Sequence, residues 1–319
     1  MHPDVVRRLR CPVCGRALAP VGPGPTDPLR CPGRHSFDRA RQGYVNLLAG
    51  RASHVGDTAD MVAAREEFLA AGHYAPVADL LAGAAREALS ARETLSARET
   101  LSARETRTGG GEATTVPAAG DGAPGAYPDL VVDAGAGTGR YLAAVLDALP
   151  GTVGLALDVA KPALRRAARV HPRAAAALAD TWRPLPVADA AVALVLNVFA
   201  PRNGPEFRRI LRPDGALLVL APADDHLAEL VERLRLLRVD PAKTDRVIAS
   251  LAGDFDLVRQ TPLRYPLRLD RRAVRTVVGM GPSAWHTDPD RLAVDVDRLP
   301  EPVPATVSVT LSEFRPRAT

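Results

Sequence analysis

The chain has 319 residues, of which 46% are apolar and 24% are charged, and its formal net charge is +4. This length allows a sizeable hydrophobic core and predicts two domains, or one large domain with an appended module. The first residues, MHPDVVRRLR, lack the apolar segment of a signal peptide, and no uncharged apolar run of about 18 residues occurs that could span a membrane. We therefore expect a cytoplasmic protein with no membrane partner.

All three cysteines lie near the N-terminus, where Cys11 and Cys14 form a Cys-x2-Cys pair and Cys31 precedes His35. Three thiols cannot pair completely as disulfides, whereas two close pairs of sulfur and imidazole ligands suit a tetrahedral zinc ion. The segment between the pairs is rich in Pro and Gly, so a metal ion has to hold its ends together. The sequence therefore predicts one structural Zn²⁺ per chain in a zinc-ribbon module of residues 1–50. A set of buried free cysteines is the alternative.

The positive charge is concentrated in this module. Residues 1–54 contain nine arginines and three aspartates, a net charge of +6 against +4 for the whole chain. An arginine-rich surface of this kind suits contacts with nucleic-acid phosphates, for which Arg34, Arg39 and Arg41 are candidates. A solvated arginine-rich face with no partner is the equally simple alternative.

Residues 37–50 predict a short strand or turn at the end of the module. Apolar residues at helical spacing then predict two helices, broken near Gly72-His73-Tyr74, with Pro76 in the first turn of the second. The hexapeptide LSARET occurs three times over residues 89–106, and its period cannot keep one apolar stripe on a core. We interpret residues 51–106 as a helical connector and residues 107–127 as a flexible linker.

After the linker, "DLVVDAGAGTGRYLAAVLDAL" combines an apolar run, an aspartate, a glycine-rich turn and an amphipathic helix. Glycines at 135, 137 and 139 let the backbone turn tightly and approach a ligand, and the helix that follows favours an electronegative group. A second apolar run ends at Asp158, where an acid can bind ribose hydroxyls, and Asp180 follows a third run, where it can bind an adenine amino group. Each of these residues alone could be a turn or cap.

Strands alternate with helices from residue 128 to residue 319, which predicts a parallel sheet covered on both faces. With the ordered glycines and acids, this region resembles the Rossmann-like α/β fold of class I S-adenosylmethionine-dependent methyltransferases. That fold ends in an antiparallel pair, for which "DLVRQTPLRYPLRL" and "ATVSVTLSEFRPR" are the candidates. The resemblance implies S-adenosyl-L-methionine (SAM) as the cofactor of this domain.

The module and the domain together resemble bacterial methyltransferases that modify guanine N1 of 23S rRNA. The similarity rests on the zinc module with "ARQGYVNLL", on "DMVAAREEFLAAGHYAPV", "DAGAGTGRYL", "NVFAPRN" and "MGPSAWH". It is strongest for the actinomycete branch that confers resistance to macrolides such as tylosin and mycinamicin. It implies methyl transfer to a domain II hairpin, around guanine 748, by a homodimer whose zinc domain binds the RNA, with no DNA partner. The cofactor contacts that it implies, with the acids above, are Tyr74, Asp133, Gly135, Gly137, Thr138, Gly139, Arg140, Asp158, Asp180 and His226.

Three residues are candidates for positioning the target base. Asn197 and Phe199 lie at the C-terminal end of the fourth predicted strand, where ligands meet sheets of this kind, and Trp285 lies in "MGPSAWH". Phe199 or Trp285 could stack on the guanine, and Asn197 could bind its edge. Phe199 as a core residue and Asn197 as a loop cap are equally simple interpretations. No residue stands out as a general base.

Two other functions stay open at this point. A small-molecule methyltransferase acting on a macrolide sugar would explain the cofactor fold but not the basic module. A non-catalytic zinc-ribbon RNA-binding protein would explain the module, but the intact glycine loop and Asp158 argue against it.

Overall fold

The N-terminal module is a small antiparallel sheet in the computed structural model, which describes residues 1–90 and 127–318. Helix α1 (Pro3–Val6) precedes strands β1 (Ala19–Pro20), β2 (Leu29–Arg30) and β3 (Ser36–Phe37), which pair in that order. Each strand has only two residues. Strands this short form little hydrophobic surface of their own, so the module needs other sources of stability.

Strand β4 (Val45–Asn46) leaves the module and pairs in parallel with a strand of the large sheet. Helix α2 (Ala59–Ala70) follows, capped by the Thr58 side chain, and residues 75–90 form helix α3. The predicted break between the two helices is confirmed, with Gly72 in the left-handed region at φ +80°. The LSARET repeat beyond residue 90 and the predicted linker up to residue 126 lie outside the described residues.

The large sheet contains β4 and seven further strands. In chain order these are β5 (Asp129–Ala134), β6 (Thr152–Asp158), β7 (Ala174–Leu178), β8 (Val192–Val198), β9 (Leu211–Pro222), β10 (Phe255–Leu269) and β11 (Val303–Pro316). Their order across the sheet is β10-β11-β9-β8-β5-β6-β7-β4, and β11 runs antiparallel to both of its neighbours. This is the order of the class I methyltransferase fold predicted from the sequence, extended by β4 at one edge.

Helices connect the strands and cover the sheet. They are α4 (Arg140–Ala148), α5 (Lys161–Ala167), α6 (Gly204–Ile210), α7 (Ala228–Leu234), α8 (Lys243–Leu251), α9 (Arg271–Gly279), a 3-10 turn (Pro282–Trp285) and α10 (Pro289–Asp297). The last three lie between β10 and β11, so the final antiparallel pair is not a simple hairpin. Both faces of the central strands are covered, which explains why their sequences are near-continuous apolar runs.

Two hydrophobic clusters lie on opposite faces of the sheet. One contains Val131 and Leu196 and packs against α3, α4 and α9. The other contains Leu130 and Leu155, and it also includes Cys11, Leu29 and Val45 from the N-terminal region, among other residues. The sequence predicted a module bounded at residue 50, yet the module shares its core with the large sheet, because two-residue strands cannot bury a core alone.

No helix in the described parts of the chain is long and apolar enough to cross a membrane.

Candidate active site and metal centre

Four side chains of the N-terminal module meet as the cysteine spacing predicted. The ligand atoms of Cys11, Cys14, Cys31 and His35 all lie within 4.8 Å of one another. Cys14 Sγ is 3.6 Å from Cys31 Sγ, and His35 Nδ1 is 3.4 Å from Cys31 Sγ. Ligand atoms bound at zinc distances around one tetrahedral ion are roughly 3.5 Å apart, so the cluster fits Zn²⁺. Desolvation raises the pKa of the Cys31 thiol, but hydrogen bonds with His35, Cys14 and Cys11 outweigh it and lower that pKa to about 6.

Gly33 closes one side of this cluster. A Cβ atom placed on it would lie 3.5 Å from the sulfur atoms of both Cys14 and Cys31 and 3.5 Å from the His35 ring. The backbone therefore approaches the ligands closely at this point, which limits access to a metal held between them. Such a closed arrangement suits a structural ion rather than a catalytic one.

The glycine-rich turn connects β5 to α4 at the carboxyl edge of the sheet. Gly135, Gly137 and Gly139 have φ values of +85°, +55° and +79°, a region that favours glycine. A Cβ on Gly135 would also collide with the Cβ of Ala200. The loop lies where β5 meets β8 and the strand order reverses, which is where open α/β sheets bind their ligands.

Asp158, at the end of β6, supports this loop. Its carboxylate accepts hydrogen bonds from the backbone N–H groups of Gly137 (2.8 Å) and Ala160 (2.7 Å). Burial raises the pKa of Asp158, and these two hydrogen bonds oppose the shift. Each carboxylate oxygen keeps a second lone pair, so acceptance from ribose hydroxyls remains compatible with this geometry.

Three buried polar side chains near the loop lack hydrogen-bond partners within the described residues. They are Asp133 at both carboxylate oxygens, Thr138 at its hydroxyl and Asn197 at Oδ1. Asp133 is only 1% exposed, and desolvation, helped by the charge of Asp158, raises its pKa to about 8. Buried polar groups are normally hydrogen-bonded, so their grouping beside the glycine loop indicates a polar or cationic ligand.

The segment before the linker crosses the same edge of the sheet, which the sequence did not indicate. The Ser53 N–H donates to Asp180 (2.6 Å), and Arg140 of the loop pairs with Glu66 of α2. Arg65 of α2 pairs with Asp57 and lies against Gly137. Residues 53–66 therefore line the cleft, although they precede the linker.

Asp180, the predicted adenine contact, binds two backbone N–H groups at the same edge of the sheet. Its side chain is fully buried, and its oxygens accept from the N–H groups of Ser53 and of Trp182 (3.0 Å). These hydrogen bonds hold its pKa below the usual value despite burial. In this structure Asp180 anchors the segment that follows the zinc module. Trp182 itself is 55% exposed, and the sequence analysis did not single it out.

Tyr74, Phe199 and His226 form one aromatic cluster from three parts of the chain. The Tyr74 hydroxyl is 3.1 Å from His226 Nε2, and the Phe199 ring centroid lies 6.3 Å from Tyr74 and 6.1 Å from His226. Burial lowers the pKa of His226 to about 4, so its ring is neutral at neutral pH. Tyr74 and His226, predicted as cofactor contacts, and Phe199, predicted to stack on the base, are therefore neighbours.

Phe199 is exposed and its backbone is unusual. It has φ +51°, a region that side-chain-bearing residues rarely adopt, and 42% of its surface is exposed. Such strain is often concentrated at functional sites. Next to it, Asn197 donates to the carbonyls of Ala134 (3.1 Å) and Pro201 (2.7 Å), which fixes its amide, and its Oδ1 has no partner among the described residues. Trp285 is 47% exposed and has no ring contact with Phe199 in the described residues.

Arg39, one of the three arginines predicted to contact phosphates, instead makes hydrogen bonds inside the zinc module. Arg39 donates to the backbone carbonyls of Asp27 and Gly24, so it holds the loop between β1 and β2. Arg34 and Arg41 are exposed instead. The structure thus separates the three arginines that charge alone had grouped together.

The sheet order, the glycine loop and the acid at the end of β6 define a SAM-dependent methyltransferase of class I. Residues 9–52 match the family described as the N-terminal zinc ribbon of RlmA. The chain is 61% identical over 316 residues, 99% of its length and 100% of the relative, to a Micromonospora griseorubida protein assigned as a 23S rRNA (guanine-N1)-methyltransferase. It is 49% identical over 316 residues, 99% of each chain, to the 23S rRNA (guanine(748)-N(1))-methyltransferase of Streptomyces fradiae. The chain belongs to the 23S rRNA (guanine-N1)-methyltransferases.

Proposed function

We propose that this protein transfers the methyl group of SAM to N1 of guanine 748 in a domain II hairpin of 23S rRNA. The 49% identity with the guanine-748 enzyme of Streptomyces fradiae over essentially the whole of both chains carries this proposal. The exposed aromatic ring and the unpartnered amide oxygen beside the glycine loop support it, because an extruded base needs a stacking surface and a hydrogen-bond acceptor. The predicted cofactor, metal and base-positioning residues belong to the proposal.

SAM supplies an electrophilic methyl group, so the chain's own residues mainly position the two reactants. The glycine loop and Asp158 hold the nucleoside, with Asp158 accepting from the ribose hydroxyls. Phe199 stacks on the guanine, and Asn197 Oδ1 accepts a hydrogen bond from the base edge. Tyr74 and His226, the predicted cofactor contacts, also lie beside the Phe199 ring, and the N1 proton leaves to solvent.

Two cationic side chains near the carboxyl edge of the sheet, Arg202 and Lys243, favour an RNA substrate. Arg202 and Lys243 are half-buried, and desolvation followed by the charge of Arg202 lowers the pKa of Lys243. Lys243 is also close enough to contribute to the lowered pKa of His226. Cations that influence one another in this way favour an anionic group, which the RNA backbone provides and a macrolide does not.

We further propose that methylation confers resistance to macrolides such as tylosin or mycinamicin, since a methyl group near the drug's site hinders binding. The same proposal includes a cytoplasmic homodimer with a zinc-binding, RNA-contacting module. Strand β10 supports an intermolecular contact, because it is a long edge strand that exposes Leu257 and Val258.

The proposal is tested by primer extension on RNA incubated with the enzyme and SAM. N1 methylation removes the pairing edge of guanine, so reverse transcriptase should stop at guanine 748 in a domain II transcript or in large subunits. A transcript with adenine at that position and an Asp158→Ala enzyme should give no stop. A methylated macrolide, or a stop at another guanine only, would contradict the proposal.

A further inference from the structure

Arg65 lies directly against the glycine loop. If Gly137 carried a Cβ atom, its nearest neighbour would be Nη1 of Arg65, at 3.3 Å. Its Nη2 donates to the Met280 carbonyl (2.9 Å), and its Nη1 pairs with Asp57. These contacts hold a guanidinium over the loop from a helix that precedes the linker.

The guanidinium of Arg65 retains capacity for a ligand. Arginine has five N–H donors, and the contacts with Asp57 and Met280 use two of them. Its side chain is about a quarter exposed, so it is neither buried in the core nor free in solvent. The planar donor arrangement of arginine suits a carboxylate, which it can bind through two parallel hydrogen bonds.

A buried acidic side chain, which can carry the opposite charge once a cation binds, lies beside the same loop. Asp133 is buried in β5, and neither of its carboxylate oxygens has a hydrogen-bond partner within the described residues. The Thr138 hydroxyl of the same loop also has no partner among the described residues. An unpaired buried carboxylate is costly, and a cation in the cleft would offset that cost.

SAM carries one carboxylate and one ammonium group on the same carbon of its methionine portion. We propose that Arg65 binds this carboxylate while Asp133 binds this ammonium, so that the two residues recognise the amino-acid end of the cofactor. Arg65 is then a specificity-determining residue that distinguishes SAM from adenosyl compounds without the carboxylate. The inference deepens the proposed function and rests on SAM being the methyl donor.

Calorimetry with SAM and decarboxylated SAM tests this assignment, because the second compound keeps the amine and the sulfonium but lacks the carboxylate. The wild type should bind SAM about 10- to 100-fold more tightly than the decarboxylated form, the range expected for a charge-assisted pair. Arg65→Gln should lose that preference by weakening SAM alone. Asp133→Asn should weaken both compounds by a similar factor, since both keep the amine.

Arg272→Gln is the matched control. Arg272 is exposed on α9 and pairs with Glu67 of the same helix that carries Arg65, so its replacement removes a surface ion pair only. It should leave both affinities and the preference unchanged. Equal weakening of both compounds by Arg65→Gln would overturn the inference, because a purely structural tie to Met280 predicts that result.

Arg65→Lys keeps the inference testable if the glutamine variant does not fold. Lysine retains the charge but not the paired donors, so the preference for SAM should fall to an intermediate value, and a full wild-type preference would overturn the assignment. Failure of the wild type to bind either compound would instead overturn the proposed function, which makes the two failures distinguishable.

Discussion

The zinc module and the central sheet derive their stability from different sources. The module has strands of two residues each, and one of its metal-site side chains, Cys14, is exposed. The central strands are longer, and residues such as Leu130, Leu155 and Leu196 are completely buried. The first region depends on ligands that converge on a metal, whereas the second depends on removing apolar surface from water.

The two regions are nevertheless joined by packing. Leu9 forms a bridge with Val187 of the methyltransferase domain, and β4 adds to the edge of the sheet beside β7. The module is therefore tied to the sheet on one side and to its metal on the other. Losing the metal should therefore damage RNA recognition far more than cofactor binding.

Removing one zinc ligand should have the largest effect. Cys14→Ser leaves no cavity because the side chain is exposed, yet it removes a ligand whose metal supplies folding free energy, about 10–16 kcal/mol for structural zinc in small peptides. We expect zinc content to fall from one per chain to none and rRNA methylation to be lost, while SAM binding is retained. Atomic absorption, primer extension and calorimetry measure the three quantities.

Val13→Ser is the control for this variant, since Val13 is an exposed neighbour outside the ligand cluster. It should keep both zinc and methylation. Full methylation by a zinc-free Cys14→Ser protein would show that the module does not depend on its metal.

Asp133→Asn should have an intermediate, pH-dependent effect on the cofactor-free protein. Desolvation raises the pKa of Asp133 to about 8 in the folded state, so its contribution to stability is greatest below its usual pKa and is lost as the pH rises to about 8. Asparagine does not titrate, so the stability of the variant relative to the wild type should increase as the pH rises from about 4 to about 8. The increase should be a few kcal/mol, since each pKa unit corresponds to about 1.4 kcal/mol. Urea unfolding at pH 5, 7 and 9 measures the gain, and a constant difference would contradict it.

Charge reversal on the module should have the smallest effect. Arg34→Glu and Arg41→Glu replace exposed side chains, and each should weaken binding of a domain II transcript and flatten its log-log salt slope by about one unit per lost phosphate contact. Filter binding over a potassium chloride series measures the slope. Arg39→Gln should instead lower the stability of the module, because Arg39 holds the β1–β2 loop. Unchanged slopes in the first two variants would mean that these arginines are solvated surface.

Much of the sheet could be predicted from the sequence because its signals are local. Continuous apolar runs indicate buried parallel strands, and Asp158 and Asn197 lie at strand ends as expected. The cysteine spacing was equally informative about the metal-site cluster. The pairing of β4 with β7 was not predictable, because two residues carry no periodicity.

The contacts of Arg65 and Ser53 were missed for a related reason. Both residues precede the linker, yet Arg65 lies against Gly137 and Ser53 donates to Asp180. No local sequence pattern predicts such long-range contacts. Of the cofactor contacts predicted from the sequence, only Tyr74 precedes the linker, and the family resemblance alone indicated it. Arg39 was predicted as a phosphate contact from its charge alone. Composition does not show that its side chain donates to backbone carbonyls of the module.

The shared core of module and sheet has a consequence for synthesis on the ribosome. All four metal ligands have been translated once His35 is added, whereas Leu130, Leu155 and Val187, which share the cluster of Leu9 and Leu29, are translated much later. Domains generally fold as units in the order in which they emerge. Early metal binding would order the nascent N-terminal module and protect its thiols. Strand β4 would stay unpaired until β7 has been translated.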